Sequence, residues 1–266
     1  MELSVTLLSD PGPIGAHLRR DESLHAYELA DLDPALWPLT RWHGGWRGEQ
    51  LVSVALLYLG SDPPTLLLLG RASDPDLAAL LVALQQQLPT RLHAHLAPGL
   101  ERHLGGFELS GITPCLKMAL LRPGAISDDD AVQALGPDDH VEIEALYARA
   151  YPDNHFDPQT LETGAVVGLR IDGALACVAG IHALSRRERV AALGNIATDP
   201  AHRGRGLAQR TTGALCHRLL SQVDTIGLNV DAENTTALAV YRRLGFEIVA
   251  PYVELDAARW PGPAGA

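Results

Sequence analysis

The sequence predicts a mixed α/β fold laid out as two tandem copies of one unit. Three observations lead there. Apolar runs of strand length alternate with segments of helical periodicity, the order of a sheet that is at least partly parallel. That alternation occurs twice, on either side of a Pro-, Gly- and Asp-rich segment at 120–140. The two halves also end alike, with "PGLERHLGGFEL" matching "AVYRRLGFEI" apart from one extra glycine.

In the first half, "LVSVALLYLG" and "TLLLLG" read as buried strands, each about half as long as a membrane span. The helix "DPDLAALLVALQQQL" opens after Asp74-Pro75, and "RLHAHL" is the next strand. The segment "LLRPGAISDDDAVQALGPDDH" has no long apolar period and reads as the domain boundary or linker, placed to within about ten residues and giving domains 1–125 and 126–266. In the second half, "HVEIEALYARAY" has helical spacing. The strands "AVVGLRI" and "ALACVAGIHAL" form a hairpin through Asp172-Gly173. "RVAALGNIAT" is a strand, "GLAQRTTGALCHRLLSQV" a helix and "TIGLNV" a strand. "NTTALAVYRRL" is a helix closed by Gly245, and "FEIVAPYVEL" is the last strand.

Composition bounds the function. The 266 residues are 47% hydrophobic and 20% charged, the make-up of an ordinary globular protein. The opening "MELSVTLLSD" lacks a basic segment followed by an apolar core, so no signal peptide is expected. Cys115, Cys177 and Cys216 are widely spaced, which favours a reducing cytoplasm over a disulfide framework; neither a zinc site nor any other metal is expected. A net charge of −11 disfavours nucleic acid as a partner, and no membrane partner is expected. Only one of the 21 basic residues, Lys117, is lysine, which reads as composition rather than function.

One turn runs against this acidic background. In "NIATDPAHRGRGLAQR" (195–210) a strand ends at Asp199-Pro200, Arg203 and Arg205 interleave with Gly204 and Gly206, and a helix follows. Between 186 and 218 seven arginines face only Glu188 and Asp199. Unpaired amides and the dipole at a helix start favour an anion there, and glycine lets the backbone wrap a pyrophosphate. The spacing is neither GxxxxGK[ST] nor GxGxxG. The corresponding stretch of the first half, "GRASDPD", lacks the array, and Glu101 stands where the second half has Tyr241.

Residues 196–208 resemble the acyl-coenzyme-A signature of the GNAT superfamily of N-acetyltransferases, Arg/Gln-x-x-Gly-x-Gly/Ala, through Arg203, Gly206 and Ala208. The later "NVDAENTTALAVYRRLGF" is similar to the family's second segment, through Asn234, Tyr241, Gly245 and Phe246. The resemblance covers about 140–255 and implies two tandem acyl-CoA N-acyltransferase-like domains, the first degenerate, akin to the glycine N-acyltransferase-like branch. It implies transfer of an acetyl group from acetyl-coenzyme A to a primary amine of a small molecule or peptide. The amides of Arg203, Gly204, Arg205, Gly206, Leu207 and Ala208 would take the pyrophosphate. Ile196, Ala197 and Thr198 would line the pantetheine arm with Asn234, and an amide near Ile196 or Ala197 would face the thioester carbonyl.

Tyr241 lies two helical turns after Asn234 and would protonate the leaving thiolate. The strand "VAALGNIAT" carries no carboxylate where relatives often place a base, which leaves His182 as the base candidate, with Glu254 and Asp231 behind it. Tyr151, His155 and Phe156 in the loop 151–164 are candidates for the acceptor pocket, and the three tryptophans of "WPLTRWHGGWRG" read mainly as packing. The competing readings are a non-catalytic acyl-coenzyme-A-binding module and an interaction protein on the same fold.

Overall fold

The computed structural model describes residues 3–71, 74–152 and 154–260, so Ala72 and Ser73 of "GRASDPD" lie outside the described residues. Two compact units emerge. The first comprises the chain up to Lys117, Asp231–Glu233 and the chain from Val249 on; the second comprises Met118–Val230 and Asn234–Ile248.

The first unit opens with β1 (Ser4–Leu8), α1 (Pro11–Leu18) and α2 (Ala26–Ala30). The strands β2 (Thr40–Arg47), β3 (Gln50–Tyr58) and β4 (Thr65–Leu68) lead to α3 (Pro75–Leu84), β5 (Arg91–Leu96) and β6 (Phe107–Leu120). Strands β1 to β4 pair antiparallel in sequence order, and β4 pairs parallel with β5. Leucines of α3 and of β3 to β5 form its core, including Leu66, Leu80, Leu81 and Leu92. Trp42 is buried and stacks on Trp37, so these two indoles pack as expected. Lys117 is buried over the ring of Tyr27, and burial pushes its pKa down.

The second unit repeats the pattern with β7 (Val132–Ala134), α4 (His140–Ala150), β8 (Val167–Ile171), β9 (Ala174–Ser185) and β10 (Val190–Thr198). Then come α5 (Leu207–Leu219), β11 (Thr225–Asp231) and α6 (Thr235–Leu244), and the chain ends in β12 (Phe246–Arg259). Again four strands pair antiparallel in order, β7 to β10, and β10 pairs parallel with β11. Asp172 and Gly173 both have positive φ, as the two-residue β8–β9 turn demands.

Two expectations need correction. The segment 120–140 is not a linker. It holds β7, Asp129 pairs with Arg210, and the Arg218 guanidinium donates to the Val132 carbonyl. The compact units also depart from the 1–125 and 126–266 split: the first boundary falls between Lys117 and Met118, inside β6, and Asp231–Glu233 and the chain from Val249 on join the first unit. The last strand from Val249 pairs antiparallel with β5, in the first unit. Hydrogen-bond partners reached across the whole chain leave no local mark in composition.

Candidate functional site

The site begins where two parallel strands stop pairing. Strands β10 and β11 are in register from Val190 opposite Thr225 to Leu193 opposite Leu228, and no further. Strand β10 continues to Thr198 held only by β9, through a register shift between Gly194 and Ala197. Its edge toward β11 is therefore unpaired from Gly194 on. Unpaired strand edges present amides and carbonyls to an extended ligand.

The bulge is braced. Asn195 sits at φ 53°, unusual for a residue with a side chain, and is buried. Its carbonyl accepts from the Tyr147 hydroxyl at 2.7 Å, and its side-chain amide donates to the His155 carbonyl at 3.2 Å. Its Oδ1 is buried without a donor, as is Oδ1 of Asn229 on β11. Two orphaned amide oxygens thus mark the strands where they part. Such groups cost about 1–3 kcal/mol each unless a ligand or water satisfies them. Sequence reasoning passed over Tyr147, Asn195 and Asn229; the available signal was asparagine inside apolar strands.

Past Thr198 the chain turns through Asp199, whose side chain accepts the Ala201 amide and an ion pair from Arg149. These contacts hold its carboxyl below the usual range, the amide bond first and the guanidinium second. Gly204 and Gly206 adopt φ 75° and 74°, and a Cβ on either would meet open space. Their glycine identity is therefore set by backbone conformation and by clearance on the outer side. Gly206 is the N-cap of α5 and makes no side-chain capping bond, which leaves the first amides of that helix without a side-chain cap. Leu207 is buried and anchors the helix start, and Ala208 follows in the first turn.

The arginines are mostly engaged by the protein. Arg203 donates to the carbonyls of Thr198 and Ala150, Arg189 pairs with Asp224, and Arg210 pairs with Asp129. Arg205 contacts the ring of His202. The charge counted along the sequence is thus partly neutralised by acids from outside the window.

Other expected residues fall as follows. His182 is exposed on β9, and its ring lies against Gly194, where a Cβ would come within 2.1 Å of Nε2. The imidazole thus lies over β10 at Gly194, the first residue past its pairing with β11. Ile196 and Ala197 lie on the unpaired stretch, and the Thr198 hydroxyl contacts the Cys177 thiol at 3.2 Å. Asn234 caps α6 by accepting the Ala237 amide. Tyr241 is buried on α6 against Phe246. Burial, with smaller contributions from Tyr151 and Cys216, raises its pKa, so the phenol keeps its proton.

Gly245, by contrast, is structural: it closes α6 at φ 95°, its carbonyl receives the Leu121 and Arg122 amides, and a Cβ would strike the Arg122 carbonyl. Phe156 packs on Tyr147, while Tyr151 is exposed. Asp231 and Glu254 belong to the first unit, where Asp231 accepts the Glu233 amide and Glu254 accepts from the Tyr252 hydroxyl.

The two units repeat one strand order, and in the second a strand parts from its parallel neighbour and runs into a glycine-started helix; the fold is that of two tandem acyl-coenzyme-A N-acyltransferase-like domains. Residues 131–246 match the family model described as the acetyltransferase (GNAT) family. The N-alpha-acetyltransferase RimI of Mycobacterium tuberculosis is 34% identical over 101 residues, 38% of this chain. The chain spans 56% of the length of that relative. Among solved structures, a putative GNAT acetyltransferase of Novosphingobium aromaticivorans aligns at TM-score 0.61 and 22% identity, covering 86% of this chain and 95% of that one. A tandem GNAT protein from the clavulanic acid pathway aligns at TM-score 0.55 and 18% identity, over 99% of this chain and all of that one. Among the described residues no helix is long and apolar enough to cross a membrane.

Proposed function

We propose that the second unit is an acetyl-coenzyme-A-dependent N-acetyltransferase acting on a primary amine, in the cytoplasm. The observation that carries this reading is the unpaired edge of β10 running into the uncapped, glycine-started helix α5. The site fits the donor: amides from Arg203 to Ala208 would hold the pyrophosphate, and the edge from Ile196 to Thr198 would pair with the pantetheine arm. When bound, acetyl-coenzyme A supplies an acetyl group activated as a thioester. The chain's own part is threefold. An amide near Ile196 or Ala197 orients a donor toward developing negative charge, a kind of contact worth roughly 3–4 kcal/mol. Tyr241 holds a proton at Oη for the leaving sulfur. His182, beside the strand opening, takes a proton from the incoming ammonium or amine.

The acceptor is proposed as a cationic amine, in keeping with the acidic chain, and a peptide α-amine is favoured by the likeness to RimI. Two tandem copies with a silent first copy also fit the glycine N-acyltransferase-like branch. The test is calorimetric titration with acetyl-coenzyme A, followed by a turnover screen over polyamines, aminoglycosides and peptides. Micromolar binding with turnover supports the enzyme. Binding without turnover on any amine points to the acyl-coenzyme-A-binding module, and absence of binding removes the cofactor site.

A further inference from the structure

A second chemical site lies in the first unit, on strands the acetyltransferase reading does not use. In "RLHAHL" the two histidines are two residues apart on β5, so both imidazoles stand on one face of the sheet. Strand β12 lies antiparallel beside it, with Glu254 directly opposite His95 and Asp256 directly opposite His93. Register thus collects four titratable side chains on one patch, from segments about 160 residues apart in sequence (His93 to Asp256 is 163).

The geometry within the patch is that of a ligand set. One atom each from His93, His95 and Glu254 lies within 4.8 Å of the other two. His95 Nε2 and Glu254 Oε1 are 3.5 Å apart, close to the roughly 3.4 Å edge of a tetrahedron with metal–ligand bonds of about 2.1 Å. The His93 Nδ1 is 3.0 Å from the Asp256 carboxylate, the contact that fixes an imidazole's tautomer and leaves Nε2 for a metal. The Tyr252 hydroxyl donates to Glu254 and orients that carboxylate in the same way. The two imidazole rings meet edge-on at 5.2 Å, and the three side chains are 31%, 15% and 30% exposed, open enough for an ion to enter. Cross-strand ion pairs alone would need only each histidine and its own opposite acid. The convergence of both imidazoles on one carboxylate is what a shared cation explains.

We propose that His93, His95 and Glu254 bind one divalent transition-metal ion, with Asp256 orienting His93 and a fourth position left to water. Two nitrogen donors and one carboxylate favour a borderline ion such as Zn²⁺ over Mg²⁺ or Ca²⁺, which prefer all-oxygen sets. The ion ties the last strand of the chain to β5. The expectation of a metal-free protein, drawn from cysteine spacing, did not consider a histidine–carboxylate set, whose members only strand register brings together.

The experiment is calorimetric titration of the untagged, chelator-treated full chain with Zn²⁺, alongside thermal melts with and without the ion. One Zn²⁺ per chain is expected, with a rise in Tm. The double variant His93→Gln/His95→Gln should bind at least about 100-fold more weakly, and Asp256→Asn roughly 10- to 100-fold more weakly. Glu254→Gln, a milder change, should abolish the Zn²⁺-dependent rise in Tm while leaving the metal-free melt close to that of the wild type. Substitution with Co²⁺ should give the visible bands of a four-coordinate ion. Absence of binding at about 100 µM Zn²⁺, or equal affinity in the double variant and in Glu254→Gln, would overturn the site.

Discussion

The two units share strand order and differ in how their parallel pair ends. In the first unit β4 is paired with β5 along its whole length, from Thr65 opposite His93 to Leu68 opposite Leu96. In the second unit β10 pairs with β11 over its first four residues, then runs on to Thr198 paired with β9 but not with β11. The helix that follows differs to match. Asp74 caps α3 with its own carboxylate, accepting the Asp76 amide, and Asp76 in turn binds Arg47. Gly206 leaves α5 uncapped. An anion approaching α3 meets carboxylates, whereas one approaching α5 meets free amides. The comparison teaches that on this fold a site is made by withholding hydrogen bonds. The first unit completes the hydrogen bonds that the second leaves open.

The comparison can be broken most forcefully at Gly206. Gly206→Val forces a branched residue into φ 74° and fills the space in front of the helix, so acetyl-coenzyme A affinity should fall about 1,000-fold, the loss of two or so charge-assisted bonds. The mirror change, Asp74→Gly in the first unit, should leave affinity as it was. Titration calorimetry reads both, and a loss in the Asp74 variant would mean that the first unit binds the cofactor.

Next in size is Tyr241→Phe, expected to lower kcat about 100-fold with the cofactor Kd within twofold. Because burial raises the tyrosine's pKa, the wild-type kcat should show no alkaline limb from it in the ordinary phenol range. Unchanged kcat in the variant would remove Tyr241 from the chemistry. His182→Ala should lower kcat/KM, and an unchanged value would point to another base.

A smaller effect is expected from Tyr147→Phe, which frees the Asn195 carbonyl from its hydroxyl donor. Loosening of the bulge should cost about 1 kcal/mol in stability and roughly tenfold in kcat/KM. If only stability changes, the bulge is a packing feature.

The smallest concerns acid. Asp129, Asp199 and Asp224 of the second unit all have carboxyls held below the ordinary 3.8: Asp129 and Asp224 first by arginine bonds, Asp199 first by the Ala201 amide. Depressed carboxylates contribute stability that is complete above their unfolded pKa and lost as pH falls through the folded values. Asp224 is exposed and Asp129 and Asp199 are half-buried at the surface, where solvent screens their ion pairs, so the Tm should hold from pH 7 to about 5 and decline modestly below about 4. Asp129→Asn should leave the neutral Tm within a degree or two.

Much of this was legible along the chain. The β8–β9 hairpin, α3, α5, α6 and the strands β3, β4, β5, β9, β10 and β11 follow from periods of two and 3.6 and from cap residues such as Asp74 and Gly245. The positive-φ glycine turn at 204–206 that starts α5 was legible, since a turn and a helix start depend only on local backbone. Short β7 and the segment around α1 were not, because three to eight residues carry too little pattern to stand out from a loop.

What the sequence by itself determined is therefore the local: which segments are strands and helices, where the glycines permit positive φ, and which side chains carry protons. What only the tertiary structure decided is the relational. The early end of β10–β11 pairing, the ring of His182 on Gly194, the engagement of Arg203 by carbonyls, and the gathering of His93, His95, Glu254 and Asp256 all depend on strand register. Register is set by pairing between segments up to 163 residues apart, and no window of neighbouring residues contains it.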